Sequence, residues 1–312
     1  MPTTQSLPAT NPEIPALRIA GAALTDTGPV RPANEDSVAL IMPDSTSVLL
    51  RRGVLAMVAD GMGGHEGGEV ASGIAVSVLT QAYYQEEGDP QAALAQAFAA
   101  ANRAIFDHAR KRSKLAGMGT TCTAVAVVNA RAYCAHAGDS RAYLIRGGQA
   151  YCMTEDHSAT MELVKQGLLT QAEARHHEDR NVILRAMGTH KTIQAEHWAP
   201  PFPLRPGDRL LLCSDGLYEM IDDEELAAIA TAYAPAEACQ KLIALAVGRV
   251  STDNVSAVVL ELSGSERSGS ERSGSERGEI ERPGPEHSGP EHSGPERSGP
   301  ALSRPSSGEN PA

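Results

Sequence analysis

The sequence predicts an α+β domain in which antiparallel strands, stacked as two sheets, are covered by helices. Two long helical patterns, 69–84 and 89–112, lie side by side instead of alternating singly with strands, which separates helical from sheet layers. Runs of short apolar segments flank this helical pair on both sides, as strands do. One such pair of segments is joined by Gly147-Gly148, a hairpin signal that makes its strands antiparallel.

Taken in order, Ala39 to Met42 and Gly53 to Ala59 read as strands. Glu69 to Tyr84 follows a glycine-rich loop and has helical spacing, with Val70, Ile74, Val78 and Leu79 on one side. Asp89-Pro90 opens the second helix, proline fitting a first turn whose N–H needs no partner; it runs through alanine-rich sequence to about Arg112. Strands follow at Thr121 to Val128, Ala132 to Ala137 and Ala142 to Ile145. The stretch from Thr154 to Thr192 is mixed, with a helix at Ser158 to Gln166 and a polar segment around His176 to Arg180. Arg209 to Cys213 is a buried strand, Asp222 to Ala230 and Ala236 to Val247 are helical, and Val255 to Leu262 is a last strand.

Outside these elements the composition changes. Residues 1–16 are polar and proline-punctuated, a disordered lead-in before a domain spanning 17–262. From Ser263 the chain repeats Ser-Gly-Ser-Glu-Arg and then Ser-Gly-Pro-Glu-His up to Ala312. Such a segment buries too little apolar surface to offset its ordering entropy, so 263–312 is expected to be a flexible tail.

The 312 residues are 41% apolar, enough for a sizeable core, and carry a formal net charge of -12. That charge, with only Arg110-Lys111-Arg112 as a short basic patch, argues against nucleic-acid binding, which needs clustered cations. The five cysteines show no C-x-x-C pair and mostly sit in strand-like runs, as small buried hydrophobes do. No apolar run approaches membrane-spanning length and the N-terminus has no signal core, so a monomeric cytoplasmic protein is expected.

The chemistry is carried by short acidic motifs at the edges of apolar runs: Asn34-Glu35-Asp36, Asp60-Gly61-Met62-Gly63-Gly64, Gly138-Asp139-Ser140-Arg141, Ser214-Asp215-Gly216 and Asp253-Asn254. Each alone reads as a strand-end turn, Asp-Gly being a common turn signal. Six acidic residues at strand edges together point elsewhere. Carboxylates converging at one end of a sheet repel one another unless cations hold them, and hard divalent ions with oxygen ligands suit that role. The glycines after Asp60 let the backbone approach closely and leave the Gly61 carbonyl free as a ligand. A phosphate-cradling loop fits less well, because this loop carries Asp60, Glu66 and Glu69 and no lysine. Arg31, four residues before Glu35, is either a salt-bridge partner or a guanidinium fork for a phosphate.

The order and wording of these motifs resemble the metal-dependent protein phosphatases, the protein phosphatase 2C family, in its compact bacterial form. The resemblance covers about 17–262 and includes Arg31-x-x-Asn34-Glu35-Asp36, Val58-Ala59-Asp60-Gly61-Met62-Gly63-Gly64 and Gly117-Met118-Gly119-Thr120-Thr121. It continues through Gly138-Asp139-Ser140-Arg141, Asp156-His157-Ser158, Arg180-Asn181-Val182, Ser214-Asp215-Gly216-Leu217 and Asp253-Asn254. It implies a central β-sandwich with helices on both faces, four αββα layers. It further implies two Mn²⁺ or Mg²⁺ ions bridged by Asp60 and a water, with Gly61 giving its carbonyl to one ion and Glu35, Asp215 and Asp253 serving the other. Asp36 matches the residue that orients the water, Asp139 with Asp215 a third ion site, and Arg31 the phosphate-binding arginine.

The activity so implied is hydrolysis of phosphoserine and phosphothreonine by in-line attack of that water, opposing a bacterial serine/threonine protein kinase. A catalytically inactive phosphoprotein-binding module on the same fold is the rival, and an anti-sigma-pathway phosphatase a third reading. The rival is expected to lack metal aspartates, and none of the matching positions is missing. Met62 stands where animal relatives have a histidine proposed as general acid; His65 and His157 are the nearby substitutes. The segment Thr154 to Thr192 matches a flap beside the site, and His177-Glu178 replaces a common His-Pro there. Trp198, the lone tryptophan, follows the flap and reads as core packing.

Overall fold

The computed structural model describes residues 17–63 and 67–264. The chain runs β1 (Leu17–Asp26), β2 (Ser37–Ile41), α1 (Thr46–Arg52), β3 (Val54–Ala59), β4 (Gly61–Met62), α2 (Gly67–Gln85) and α3 (Pro90–Lys111). It continues with β5 (Gly119–Thr120), β6 (Cys122–Val128), β7 (Arg131–Ala137), β8 (Arg141–Arg146), β9 (Gln149–Cys152), α4 (Ala159–Lys165) and α5 (Gln171–Ala174). After β10 (Glu196–His197) and β11 (Phe202–Pro203) come β12 (Arg209–Cys213), α6 (Asp215–Tyr218), α7 (Asp223–Ala232), α8 (Pro235–Gly248) and β13 (Val255–Gly264). The expected lead-in and the tail beyond 264 lie outside the described residues. The last strand runs two residues past the expected boundary, Ser263 and Gly264 pairing with Arg18 and Leu17.

One sheet has the order β1-β13-β12-β8-β9 and the other β10-β7-β6-β3-β2, with antiparallel pairing throughout. The layering follows from the period of two along each strand. In β3 every residue is buried, but alternate ones enter different cores. Val54, Ala56 and Val58 face the second sheet and meet Val125, Leu210, Leu212, Val258 and Leu260. Leu55, Met57 and Ala59 face outward and meet Ala71, Ala75 and Leu79 of α2 and Leu94, Phe98 and Ile105 of α3. Strands of the other sheet do the same, Leu211, Val255 and Val259 packing on Leu226 of α7 and Ala238, Leu242 and Ala246 of α8. The result is the four-layer αββα sandwich. Strands covered on both faces read as continuous apolar runs, which is why they were recognisable as strands but not by alternation.

Several elements differ from the expectation. β1 was not anticipated: its residues Leu-Arg-Ile-Ala-Gly-Ala-Ala-Leu are small and only half-buried, a weak edge-strand pattern. α2 turns Ala71, Ser72, Ala75, Leu79 and Tyr83 to the sheet and leaves Val70, Ile74 and Val78 half-buried, its alanines allowing close helix–sheet contact. The opening of α3 is as expected, Asp89 accepting from the N–H groups of Gln91 (2.9 Å) and Ala92 (3.4 Å) with Pro90 in the first turn. At the β8–β9 hairpin both glycines have positive φ (61° and 78°), the conformation of a type I′ turn. Trp198 packs against the core between the sheets and donates Nε1–H to the Met153 carbonyl (2.9 Å). Four cysteines are buried and Cys152 is exposed, all as free thiols.

The register brings one end of both sheets together. Asp26 is level with Val255, and Cys213 with Arg141. On the other sheet Ser37 is level with Ala59, and Cys122 with Ala137. The residues just beyond these positions are the acidic ones.

Candidate metal centre

A cleft of about 510 Å³ opens at that end, lined by Arg31, Glu35, Asp60, Gly61, Asp139, Asp215 and Asp253, with Met62, Asn181 and Ile183 among its rim residues. All the site residues expected from sequence line it except Asp36, which lies buried behind Glu35. Asp36 accepts from the Ser256 hydroxyl at 2.6 Å through Oδ2, and its Oδ1 has no partner. Oδ1 of Asp139 and Oδ1 of Asp215 are likewise buried and unpartnered.

The backbone around Asp60 is braced by threonines. Asp60 N–H donates to Thr121 Oγ1 (2.9 Å), Thr121 N–H donates back to the Asp60 carbonyl (2.8 Å), and the Thr120 hydroxyl donates to the same carbonyl (2.8 Å). Thr121 Oγ1 also meets Ser140 Oγ (2.7 Å), which ties the Asp60 turn to the Asp139 turn. Gly61 is forced by contact: a Cβ there would overlap the carbonyls of Gly68 and Glu35. A Cβ on Gly68 would lie 2.7 Å from the Glu35 carboxyl carbon, so the first turn of α2 passes directly over that side chain.

Asn254 organises the opposite wall. Its Oδ1 accepts from Glu35 N–H (2.8 Å), and its Nδ2 donates to the carbonyls of Thr27 (2.8 Å) and Ala33 (3.0 Å). Arg31 arrives from the same loop, 44% exposed, and pairs through Nη2 with Asp253 Oδ2 (2.5 Å) while Nε donates to the Thr252 carbonyl (3.2 Å). The guanidinium therefore stands at the rim of the carboxylate cluster.

Electrostatically the cluster is frustrated. Burial pushes the Asp60 carboxyl well above the usual range, and the charges of Asp36, Asp215, Asp139 and Asp253 push it further. Asp215 is raised well above its ordinary value by burial and by Asp139 and Asp253. Burial lifts Asp139 to about 7, with Asp156 adding to it, and lifts Asp36 to about 6 against the hydroxyl of Ser256. Glu35 is also raised by burial, with Arg31 acting the other way. Unpartnered buried carboxylate oxygens at this density are costly in a bare protein. The donor set is all oxygen, carboxylates and the Gly61 carbonyl, with no histidine or cysteine lining the cleft among the described residues. That chemistry fits hard divalent ions such as Mg²⁺ and Mn²⁺ and does not favour softer metals.

His157, expected as one substitute general acid, lies away from the cleft lining, and His65 falls outside the described residues. His157 stacks on the buried His136 with centroids 4.8 Å apart, and the ligand atoms of these two and Glu196 lie within 4.8 Å of one another. This second group is built as a hydrogen-bonded knot. Gly138 N–H donates to His157 Nδ1 (3.1 Å), and Nε2 meets the Arg185 guanidinium (2.9 Å) and Glu196 (3.5 Å), so both ring nitrogens are engaged by protein groups. Burial depresses His136 to about 4, keeping it neutral. The bracing roles of Asn254, Thr120, Thr121 and Gly68 were not read from sequence. Their motifs were visible, but hydrogen bonds and clearances between distant segments leave no periodic signal.

The family model described as Protein phosphatase 2C matches residues 31–163. The serine/threonine protein phosphatase PstP of Mycobacterium tuberculosis is 38% identical over 242 residues, covering 77% of this chain and 44% of the relative. The chain thus spans less than half the length of that relative. Protein phosphatase PhpP of Streptococcus pneumoniae is 35% identical over 246 residues, covering 77% of this chain and 96% of the relative. A crystal structure of the PstP catalytic domain in complex with two manganese ions superposes with a TM-score of 0.69 at 36% identity, covering 80% of this chain and all of that one (100%).

Proposed function

Because this chain belongs to the protein phosphatase 2C family, we propose that it is a metal-dependent protein serine/threonine phosphatase that removes phosphate from phosphoserine and phosphothreonine. The observation that carries this reading is the set of buried, unpartnered carboxylate oxygens: those of Asp139 and Asp215 in the cleft that Arg31 also lines, and that of Asp36 buried next to Glu35 in the chain. The manganese ions of the PstP domain support the same ligand class here.

In this reading Asp60 would serve both of two Mn²⁺ or Mg²⁺ ions, the Gly61 carbonyl would help to hold one, and Glu35, Asp215 and Asp253 would hold the other. Asp139, with Asp215, would serve a third. When bound, the ions supply water acidified to near-neutral pH and positive charge for the phosphoryl oxygens. Asp36 orients the attacking water from beneath, its free Oδ1 available as acceptor while Ser256 fixes Oδ2. Arg31 swings its exposed guanidinium onto the phosphoryl group and offsets charge on the equatorial oxygens. The water oxygen forms its bond to phosphorus as the ester P–O bond breaks, and the departing serine or threonine oxygen takes a proton from solvent. Met62 at the cleft rim offers no proton. No phosphoenzyme is required, and the cysteines stand outside the cleft lining.

We further propose that the physiological substrates are phosphoproteins in the cytoplasm, that the protein acts as a monomer and that it opposes a bacterial serine/threonine kinase. Among the described residues no helix is long and apolar enough to cross a membrane. The deciding experiment is hydrolysis of p-nitrophenyl phosphate and a phosphothreonine peptide in Mn²⁺, Mg²⁺ or EDTA, alongside Asp60→Asn. Activity is expected only with metal and an intact Asp60. Turnover surviving EDTA or Asp60→Asn would sink the mechanism, and no turnover in any metal would favour a binding module.

A further inference from the structure

Beside the cleft lies a second, larger cavity of about 740 Å³, between the flap and the α6–α7 segment. The two cavities adjoin at Asp139, which lines both. α4, α5 and the segment after α6 contribute Met161, Val164, Ala174 and Met220, beside the polar Thr160 and Gln171. The charged groups are largely committed in pairs. Arg141 is held bidentately by Asp156 (2.9 and 2.6 Å), Glu155 by Lys165, and Glu219 faces Arg180 at 3.7 Å. Asp223 lines the cavity and enters none of the ion pairs among the described residues, while Asp139 keeps a buried oxygen without a partner. A partly apolar lining with the uncommitted Asp223 carboxylate suits a long aliphatic side chain with a cationic head.

We propose that this cavity is a substrate subsite that takes a lysine or arginine side chain flanking the phosphorylated residue, read by Asp223 at the α7 N-terminus. It rests on the phosphatase reading above. Arg175 and His176 stand on the flap side of the same cavity, so the opposite preference, for an acidic neighbour, is the natural competing outcome.

The test uses phosphothreonine peptides in which one lysine is moved through an alanine background on either side of the phosphothreonine, assayed in Mn²⁺ on the full chain. At one position lysine should lower KM by about three-fold or more, the size of one partly exposed ion pair, and the effect should shrink with added salt. Asp223→Asn should abolish that preference and Asp223→Lys should invert it toward glutamate, both with unchanged p-nitrophenyl phosphate kinetics, Asp223→Lys melting slightly lower because it sets a cation in the first turn of α7. Equal KM for all peptides, a glutamate preference in the unsubstituted protein, or a lysine preference that survives both substitutions would overturn the subsite while leaving the phosphatase reading intact. Failure to hydrolyse p-nitrophenyl phosphate as well would instead sink the phosphatase reading, and the subsite with it.

Discussion

Asn254 and Glu35 are 219 positions apart in the chain, yet the Asn254 side-chain oxygen accepts the Glu35 backbone N–H at 2.8 Å. With its amide nitrogen on the carbonyls of Thr27 and Ala33, this one side chain closes the β1–β2 loop onto the start of β13. It is 4% exposed, so none of those groups finds water when it is removed.

Asn254→Ala should therefore destabilise the domain by about 2–4 kcal/mol, the cost of leaving several buried backbone groups unpaired. Urea denaturation in EDTA reads this directly. A change below about 0.5 kcal/mol, the range of ordinary surface substitutions, would show that the network relaxes around the loss.

Gly68→Ala tests how closely α2 approaches the ligand groups. Alanine improves helix propensity by about 1 kcal/mol over glycine, yet its Cβ would press on the Glu35 carboxyl carbon at 2.7 Å and on the Gly61 backbone carbon at 2.8 Å. Calorimetric titration should show Mn²⁺ binding weakened about ten-fold, roughly 1.4 kcal/mol, and the EDTA melting temperature should fall as the backbone shifts. Undiminished Mn²⁺ affinity would mean that neither Glu35 nor the Gly61 carbonyl is a ligand.

The raised carboxylates set a pH slope with a definite sign. Asp36 moves up to about 6 and Asp139 to about 7 in the folded chain, against an unfolded value near 3.8. The folded state thus binds more protons than the unfolded one between pH 4 and 7, so stability falls as pH rises through that window. His136, depressed to about 4, acts in the opposite sense, losing stability as pH falls below about 6.5. In EDTA, His136→Gln should steepen the fall of melting temperature from pH 4 to 7, and Mn²⁺ should remove most of it. A melting temperature in EDTA that rises steadily across that window in His136→Gln would contradict the burial of these carboxyls.

Arg141 anchors the flap root, bonding Asp156 bidentately and stacking over Tyr218 with its guanidinium carbon 3.7 Å from the ring centroid. Arg141→Met leaves the Asp156 charge buried and unpaired and should cost about 3–5 kcal/mol. Adding Asp156→Leu should return a substantial part of that loss in a chemical-denaturation double-mutant cycle. Strictly additive effects would mean the pair is not coupled.

Much of the site was legible because oxygen ligands for a divalent ion must be Asp, Glu or backbone, and such residues stand out against the apolar runs of β3, β12 and β13. The order of motifs then identified the family. What stayed hidden depended on contact between distant segments. Asn254 stood in a strand-end Asp-Asn motif, and Gly68 in the glycine-rich loop before the helix expected from Glu69. The acceptor of one and the clearance of the other exist only once Glu35 is placed. β1 was missed because alanines and Gly21 blunt its alternation, and α5 because four residues held by the Thr170–Glu173 capping box are too few for a period. Alanine-rich α2 misled in the other direction: Val70, Ile74 and Val78 are only half-buried, while Ala71, Ala75, Leu79 and Tyr83 face the sheet.

The acidic residues are divided between the two sheets. Asp60 leaves β3 on one side of the sandwich, whereas Asp215 and Asp253 flank β12 and β13 on the other. Within each sheet a hydrogen-bonded ladder fixes spacing, but between the sheets side-chain packing and a few side-chain hydrogen bonds, such as Ser256 to Asp36, do. A creep of one sheet past the other would alter the oxygen-to-oxygen spans of the cleft before it broke any ladder bond. The domain consequently carries a gauge of its own shear, and the zero-field splitting of Mn²⁺ seated there would register a distortion imposed anywhere along the seam.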